Sequence, residues 1–195
     1  MKIRAVQFIE FAYGDKRRDR ASVKRILDDI EKDYDPATDR YKKFRESLGA
    51  YEDGTVNEGE FLNFYKIVAA NKSEAYKVLA KNYVDAKDDH GLIWDGLQRV
   101  SAKLGKLEVT ASWYLHTDAS NQRRIVFLNF RKEPFSHQHE KGLFTLLQIA
   151  APESAGVGIL NVQFATLNVS SRLDESELVF LESRAAKFVS IAETL

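Results

Sequence analysis

The stretch LEVTASWYLH, residues 107–116, decides the fold class of this 195-residue chain. Apolar side chains stand at every second position, and the positions between them hold mostly polar side chains. Such a period of two is typical of a β-strand with one buried and one exposed face. The segment RIVFLNFR, residues 124–131, follows after the polar connection 118–121. Together the two segments predict an antiparallel hairpin.

Two further strands and a series of helices are predicted around this hairpin. Residues 2–11 and 157–169 are rich in apolar, strand-forming side chains, and we interpret both as strands. Apolar spacing at i, i+3, i+4 and i+7 favours amphipathic helices, which we place at 20–33, 38–48, 58–84 (one kinked or two separate), 92–104 and 143–149. Asp174 and Glu177 are placed to cap a last helix, whose apolar face holds Leu178, Leu181, Ala185, Phe188, Ala192 and Leu195.

This order of elements predicts an α+β fold with a helical N-terminal half, a small antiparallel or mixed sheet and a C-terminal helix. The chain contains only three prolines and ten glycines, and no internal repeat or low-complexity linker divides it. We therefore expect a single domain over 1–195, with a helix-rich subregion at 20–104 and a sheet-rich subregion at 105–195.

The composition excludes several classes of protein. The chain has no cysteine, which excludes disulfide scaffolds, thiol nucleophiles and cysteine-based zinc or iron–sulfur sites. Its longest weakly polar run, 142–151, falls far short of the ~20 residues that cross a bilayer. It also lacks the GxxxxGK[ST], GxSxG and SxxK motifs. We expect a cytoplasmic protein without membrane contact or cofactor, and nothing in the sequence identifies an enzyme.

Charge is balanced overall but unevenly distributed. The chain has 29 basic and 29 acidic side chains, yet residues 1–45 hold 13 basic and 9 acidic ones, whereas 46–100 hold 6 and 10. Ten of these 13 basic residues form the candidate basic cluster: Lys16, Arg17, Arg18, Arg20, Lys24, Arg25, Arg40, Lys42, Lys43 and Arg45. Arginines bind phosphates and aromatic rings stack on bases, and Tyr41 and Phe44 are interleaved with the last four basic residues. This cluster predicts contact with nucleic acid or an acidic protein, although Asp15, Asp19, Asp28 and Asp29 neutralise part of its charge.

The only dense histidine segment is SHQHE, residues 136–140. Side chains at i and i+2 point to the same side of an extended chain, so His137 and His139, together with His116 or Asp118 of the hairpin, form a candidate three-ligand metal site. Their spacing matches no diagnostic catalytic motif. A solvated loop in front of a helix beginning near Glu140 explains the same residues.

The segment AYEDGTVNEGEFLNFY, residues 50–65, resembles the second half of an EF-hand. With Gly54 at the sharp turn, Asp53 and Glu60 take two of the positions that bind calcium in that family. The positions of the first two ligands hold Gly49 and Tyr51, which supply no carboxylate. The resemblance implies a calcium site at Asp53 and Glu60. A tight turn followed by a helix capped by Asn57 is the alternative, and we expect no physiological calcium binding.

From these patterns we predict a non-enzymatic intracellular protein that holds a polyanion, either nucleic acid or an acidic protein surface, at the basic corner around 16–25. One alternative is a divalent-metal-dependent hydrolase built on His116, His137 and His139. Another is a self-assembling structural subunit. The last helix carries four consecutive apolar residues, 178–181, which cannot all face one sheet, and this pattern favours a homodimer contact there.

Overall fold

The computed structural model describes residues 1–32, 39–117, 123–152 and 156–195. Within these residues lie six strands: β1 Lys2–Arg4, β2 Ile93–Leu104, β3 Leu107–Thr117, β4 Arg123–Asn129, β5 Val157–Asn161 and β6 Thr166–Ser170. They also contain seven α-helices: α1 Ala5–Ala12, α2 Asp19–Glu31, α3 Lys42–Glu52, α4 Glu58–Asn63, α5 Ala70–Asp89, α6 His137–Ala150 and α7 Glu175–Ala192. The predicted α+β class is confirmed. None of the described helices is long and apolar enough to cross a bilayer.

The six strands form one mixed sheet. β2 runs antiparallel to β3 along one edge, while the other edge of β3 pairs first with β1, in parallel, and then with β4, antiparallel. β4 continues in parallel to β5, and β5 pairs antiparallel with β6. The predicted hairpin between β3 and β4 is confirmed, although its connection at 118–122 lies outside the described residues.

Helices pack on both faces of the sheet. One apolar core joins α1, α2, α6 and α7 to Ile125, Val157 and Ile159, and the other joins α3, α4 and α5 to Val126, Leu128 and Leu160. Successive side chains of a strand point to opposite faces, so the alternation along β4 and β5 places the two cores on opposite faces of the sheet. α2 and α3 therefore belong to different helical layers.

The predicted strand at 2–11 is wrong beyond its first residues. Only Lys2–Arg4 pairs with β3, and the chain then forms α1. Ala5, Phe8, Ile9 and Ala12 all lie in the core. Their spacing is that of one helix face, and burial of this face outweighs the β propensity of the Ile, Val and Phe residues.

The predicted helix at 92–104 is also wrong, because this segment is β2. It pairs with β3 through to Leu104↔Leu107, with an irregularity between Trp94 and Leu97. Gly105, with φ of 60°, allows the tight turn that joins the two strands. The helix-rich subregion therefore ends before β2 begins.

The remaining predicted elements differ mainly in extent. The strand at 157–169 is divided into β5 and β6 by a 3₁₀ turn, and Ala165 has a left-handed backbone conformation with φ of 51°. α2 and α7 agree with prediction, and Asp174 caps α7 by accepting a hydrogen bond from the Glu177 amide. The region 58–84 contains two separate helices, as one form of that prediction stated.

Candidate polyanion-binding surface

The basic corner is a 3₁₀ turn followed by the first two turns of α2. Asp15 caps the turn Lys16–Arg18, and α2 follows at once. Val23 and Ile26 anchor α2 in the core, which turns the opposite side of the helix toward solvent. All six cations of this corner are exposed: Lys16, Arg17, Arg18, Arg20, Lys24 and Arg25.

Asp19, the acidic residue in the middle of the corner, is turned inward. Its carboxylate binds Arg184 of α7 through two hydrogen bonds, of 2.7 and 2.9 Å. Arg184 also donates to the Phe11 carbonyl at 2.9 Å and lies over the Phe11 ring. Both charged side chains are at most 10% exposed. The pair removes one negative charge from the surface of the corner.

Sequence reasoning missed the role of Arg184. A signal was present, because position 184 lies beside Leu181, Ala185 and Phe188 on the apolar face of the last helix. A charged residue in such a stripe needs a buried partner of opposite sign. The sequence does not show which acidic residue supplies it, because Asp19 is 165 positions away.

Asp15 is the one exposed carboxylate directly within the corner, and Arg17 binds it. The Asp15 carboxylate accepts hydrogen bonds from the Arg17 guanidinium and from the Arg17 amide. These bonds hold the pKa of Asp15 below its usual value, with a smaller contribution from the charge of Arg18. Further along α2, Asp29 pairs with Lys32 at 3.3 Å. The exposed carboxylates of α2 itself all lie after Arg25, toward the end of the helix.

Arg20 connects the corner to the end of α7. Its guanidinium donates to the Thr194 carbonyl at 3.3 Å and to the Thr194 hydroxyl at 3.4 Å. Both acceptors are uncharged, so these two hydrogen bonds do not neutralise the positive charge of Arg20.

The other four basic residues do not join this surface. Arg40, Lys42, Lys43 and Arg45 lie at or just before the start of α3, in the helical layer on the opposite face of the sheet. Arg45 pairs with Asp39, and Lys42 pairs with Glu46 at 3.7 Å. The ten cations of the predicted cluster therefore do not form one surface.

The aromatic residues beside these four cations belong to the core. Phe44 is completely buried and contacts Phe61, Tyr76 and Phe130. Tyr41 is half-buried against Phe130. The Phe44 ring is therefore not accessible for stacking on bases, and the Tyr41 ring is occupied in part by its contact with Phe130. The charge of the corner is what supports contact with an anion.

The histidines of the candidate metal site lie on a helix. His137 and His139 fall in the first turn of α6, where Ser136 is the N-cap and accepts from the His139 amide. Residues two apart on a helix point about 200° away from each other, so the predicted shared side of an extended loop is wrong. His116 pairs with Arg124 across β3 and β4, and its side chain lies outside the described part. The described residues contain no group of three metal-ligating side chains.

The EF-hand-like segment directs its carboxylates to local partners. Asp53 accepts from the Thr55 amide at 2.9 Å, and Glu60 accepts from the Asn57 amide at 2.8 Å. Asn57 caps α4 in return, through the Glu60 amide. The two proposed calcium ligands thus stabilise a turn and a helix start. The nearby Glu52 carboxylate, almost fully buried, binds Lys87 at 2.8 Å.

A second polar cluster lies between α1, α6 and α7. The Tyr13 hydroxyl donates to Glu177, and Lys141 bridges Glu177 and Asp174 at 3.4 and 3.0 Å. Burial and the bond to Glu177 raise the pKa of Tyr13, while burial lowers the pKa of neighbouring His139. These groups satisfy one another and hold the three helices together.

No protein-family model matches the chain, and no curated protein matches it significantly.

Proposed function

We propose that this protein is a non-enzymatic binding protein that holds a polyanion at the corner formed by residues 15–25. The observation that carries the proposal is the local charge imbalance of this corner. Six exposed cations face solvent beside a single exposed carboxylate, Asp15, because Asp19 is buried against Arg184. Cations grouped in this way attract repeating negative charge at long range and release its counterions on contact.

The proposed contact is to backbone charge, not to bases. The described corner offers guanidinium and ammonium groups, and the aromatic rings that the sequence associated with the cluster lie in the other core. Binding should therefore depend strongly on salt and little on nucleotide sequence. An acidic protein surface presents the same kind of charge. Competition by polyglutamate, a model of such a surface, against a bound oligonucleotide distinguishes the two kinds of partner.

The test is fluorescence anisotropy with labelled single-stranded and double-stranded oligonucleotides over a range of salt. We expect dissociation constants of about 10⁻⁴ to 10⁻⁶ M near physiological salt, with affinity falling steeply as salt rises. The double variant Arg18→Glu/Arg25→Glu should weaken binding roughly tenfold or more, because it removes two phosphate contacts and adds repulsion.

The matched control is Lys43→Glu/Lys77→Glu, which makes the same charge change at exposed lysines in the other helical layer. The control should bind almost as well as the wild-type protein. An equal loss in both variants would mean that only net charge matters, and the corner would then have no special role. Absence of binding to any oligonucleotide, together with binding to polyglutamate, would assign the corner to an acidic protein.

A further inference from the structure

Within the described part of the chain, one half of one sheet face is not covered by helices. On the side of α3, α4 and α5, the apolar core takes its strand residues from β4, β5 and the segment at the start of β2. The described side chains of β1, β3 and the end of β2 that point to this side are all polar: Lys2, Arg4, Arg99, Ser101, Lys103, Glu108 and Thr110. Their neighbours Ile3, Ala102 and Val109 point the other way and are buried. We call this surface the open face.

The strand register arranges the charges of the open face in rows. Lys2, Glu108 and Lys103 lie side by side across β1, β3 and β2. In the next row Arg4 lies beside Thr110 and Ser101. Arg99 lies about 13 Å from Lys103 along β2, given a rise of about 3.3 Å per residue. The cations therefore cover an area and are not confined to one point.

The open face has a strong excess of positive charge. Glu108, the one carboxylate among its described residues, accepts from the Ser101 hydroxyl at 2.7 Å and pairs with Lys2 at 3.1 Å. These bonds, together with the charges of Lys2 and Lys103, lower the pKa of Glu108. Arg4 and Arg99 are exposed and have no carboxylate partner among the described residues. Four cations thus stand against one carboxylate.

The open face and the basic corner meet at one end of the sheet. Arg20 of the corner binds Thr194, just beyond the end of α7. The preceding residue, Glu193, pairs at 3.2 Å with Lys106, in the turn between β2 and β3. Lys103 lies three residues before that turn residue. The end of α7 therefore bridges the two cationic surfaces, which belong to opposite sides of the sheet.

We propose that the open face is a second binding surface, for single-stranded nucleic acid, and that one strand contacts both it and the corner around the end of the sheet. The inference rests on the proposed function of the corner. A ligand that reaches both surfaces must bend sharply, and duplex DNA is stiff, with a persistence length of about 150 base pairs. A flexible strand with a charge at every nucleotide can follow such a path. A rigid acidic protein surface would contact only one side.

The chemistry of the open face limits what it recognises. Its described side chains include no aromatic ring. The Thr110 hydroxyl is bound to the Ile3 carbonyl at 3.2 Å, and the Ser101 hydroxyl to Glu108. Free guanidinium and ammonium groups remain, which bind phosphates and read no sequence. The strand should therefore be held by its backbone.

The test compares the wild-type protein with the triple variant Arg4→Gln/Arg99→Gln/Lys103→Gln. Typical site sizes of about 4–16 nucleotides per single-strand-binding module suggest probes of about 8 and about 30 nucleotides. With the longer single strand, the variant should bind more weakly. The slope of log affinity against log salt should also fall by about 2, because each lost phosphate contact removes about 0.7. Affinity for duplex DNA, which contacts the corner alone, should stay within about twofold.

The control is Lys43→Gln/Lys77→Gln/Lys132→Gln, which removes three exposed lysines from other parts of the surface and should leave the slope unchanged. Circular dichroism and the melting temperature check the fold. Because Arg4 directly precedes α1, the double variant Arg99→Gln/Lys103→Gln serves as a second test that leaves β1 intact, and it should show about two-thirds of the slope change.

The outcomes separate the two proposals. If Arg18→Glu/Arg25→Glu weakens binding and the open-face variants do not, the open face is not a binding surface and the corner stands alone. If only the open-face variants weaken binding, the corner proposal fails and the open face is the site. Equal losses for single strand and duplex would overturn the single-strand assignment. Competition by polyglutamate as effective as that by the oligonucleotide would overturn nucleic acid as the partner.

Discussion

At the scale of single residues, the pair of Asp19 and Arg184 connects stability to function. It is buried, bidentate and further held by the Phe11 carbonyl. Loss of one partner leaves the other as an uncompensated buried charge, which typically costs about 3–5 kcal/mol. We therefore expect Arg184→Met to lower the free energy of unfolding by about that amount, measured by urea denaturation.

The double variant Asp19→Asn/Arg184→Met provides the control for this prediction. It removes both charges, so it should recover a large part of the lost stability, because replacement of a buried ion pair by uncharged groups is often nearly neutral. A double variant no more stable than Arg184→Met would show that packing of the arginine against Phe11, and not charge pairing, is what stabilises this site.

Residue-level prediction from the sequence was limited by long-range contacts. Asp19 counted as a surface charge that weakens the basic corner, and only the structure shows it paired with a residue near the other end of the chain. Asp53 and Glu60, by contrast, bind partners within three positions. For that reason the alternative of a tight turn and a capped helix could be derived from the sequence alone.

At the scale of elements, the contact of α1 with α6 depends on a glycine. A Cβ atom at Gly142 of α6 would lie 2.6 Å from the Tyr13 hydroxyl and 2.8 Å from Ile9 Cδ1. Tyr13 cannot move away freely, because it is bonded to Glu177. Overpacking of this kind typically costs about 1–3 kcal/mol. We expect Gly142→Ala to lower the free energy of unfolding within that range.

Gly49→Ala is the matched variant, because Gly49 also lies inside a helix, α3, and no neighbouring atom of the described residues comes within 4 Å of the place that its Cβ would take. Alanine should stabilise the protein there by about 0.5–1 kcal/mol, the usual advantage of alanine over glycine in a helix. Thermal and urea denaturation of the two variants should give changes of opposite sign. Two changes of the same sign would mean that the space around Gly142 adapts to the added methyl group.

Element-level prediction succeeded where periodicity was long and unambiguous. The alternation of 107–116 and the apolar stripe of the last helix both gave the correct element. Residues 2–11 and 92–104 failed because each pattern fits two structures. Val100, Ala102 and Leu104 alternate as a strand, while Ile93, Leu97, Val100 and Leu104 have a helical spacing. Pairing with β3, a tertiary interaction, decides between them.

At the scale of the whole molecule, the question is whether α7 joins two copies of the chain. The residues of α7 that face solvent are mostly polar: Glu175, Ser176, Val179, Glu182, Ser183, Ala186, Lys187 and Ser190. Stable interfaces bury about 1,200–2,000 Å² around an apolar centre. Phe180, one of the four consecutive apolar residues at 178–181, is half-buried and packs on Tyr13, with ring centroids 5.2 Å apart. Val179, 65% exposed, is the one large apolar side chain on that outer face.

We therefore expect no subunit contact through α7, and Val179→Asp is the variant that tests this expectation. A single exposed valine does not provide the apolar centre of a stable interface, so the substitution should leave both the mass in light scattering and the melting temperature unchanged. Phe180→Asp should instead lower the melting temperature without changing the mass, because it removes a ring contact and adds a carboxylate close to Glu177. A wild-type mass that rises with concentration, and that Val179→Asp returns to the monomer value, would establish α7 as a subunit interface. Binding to nucleic acid would then involve two basic corners at once, and avidity would raise the apparent affinity beyond what one corner provides.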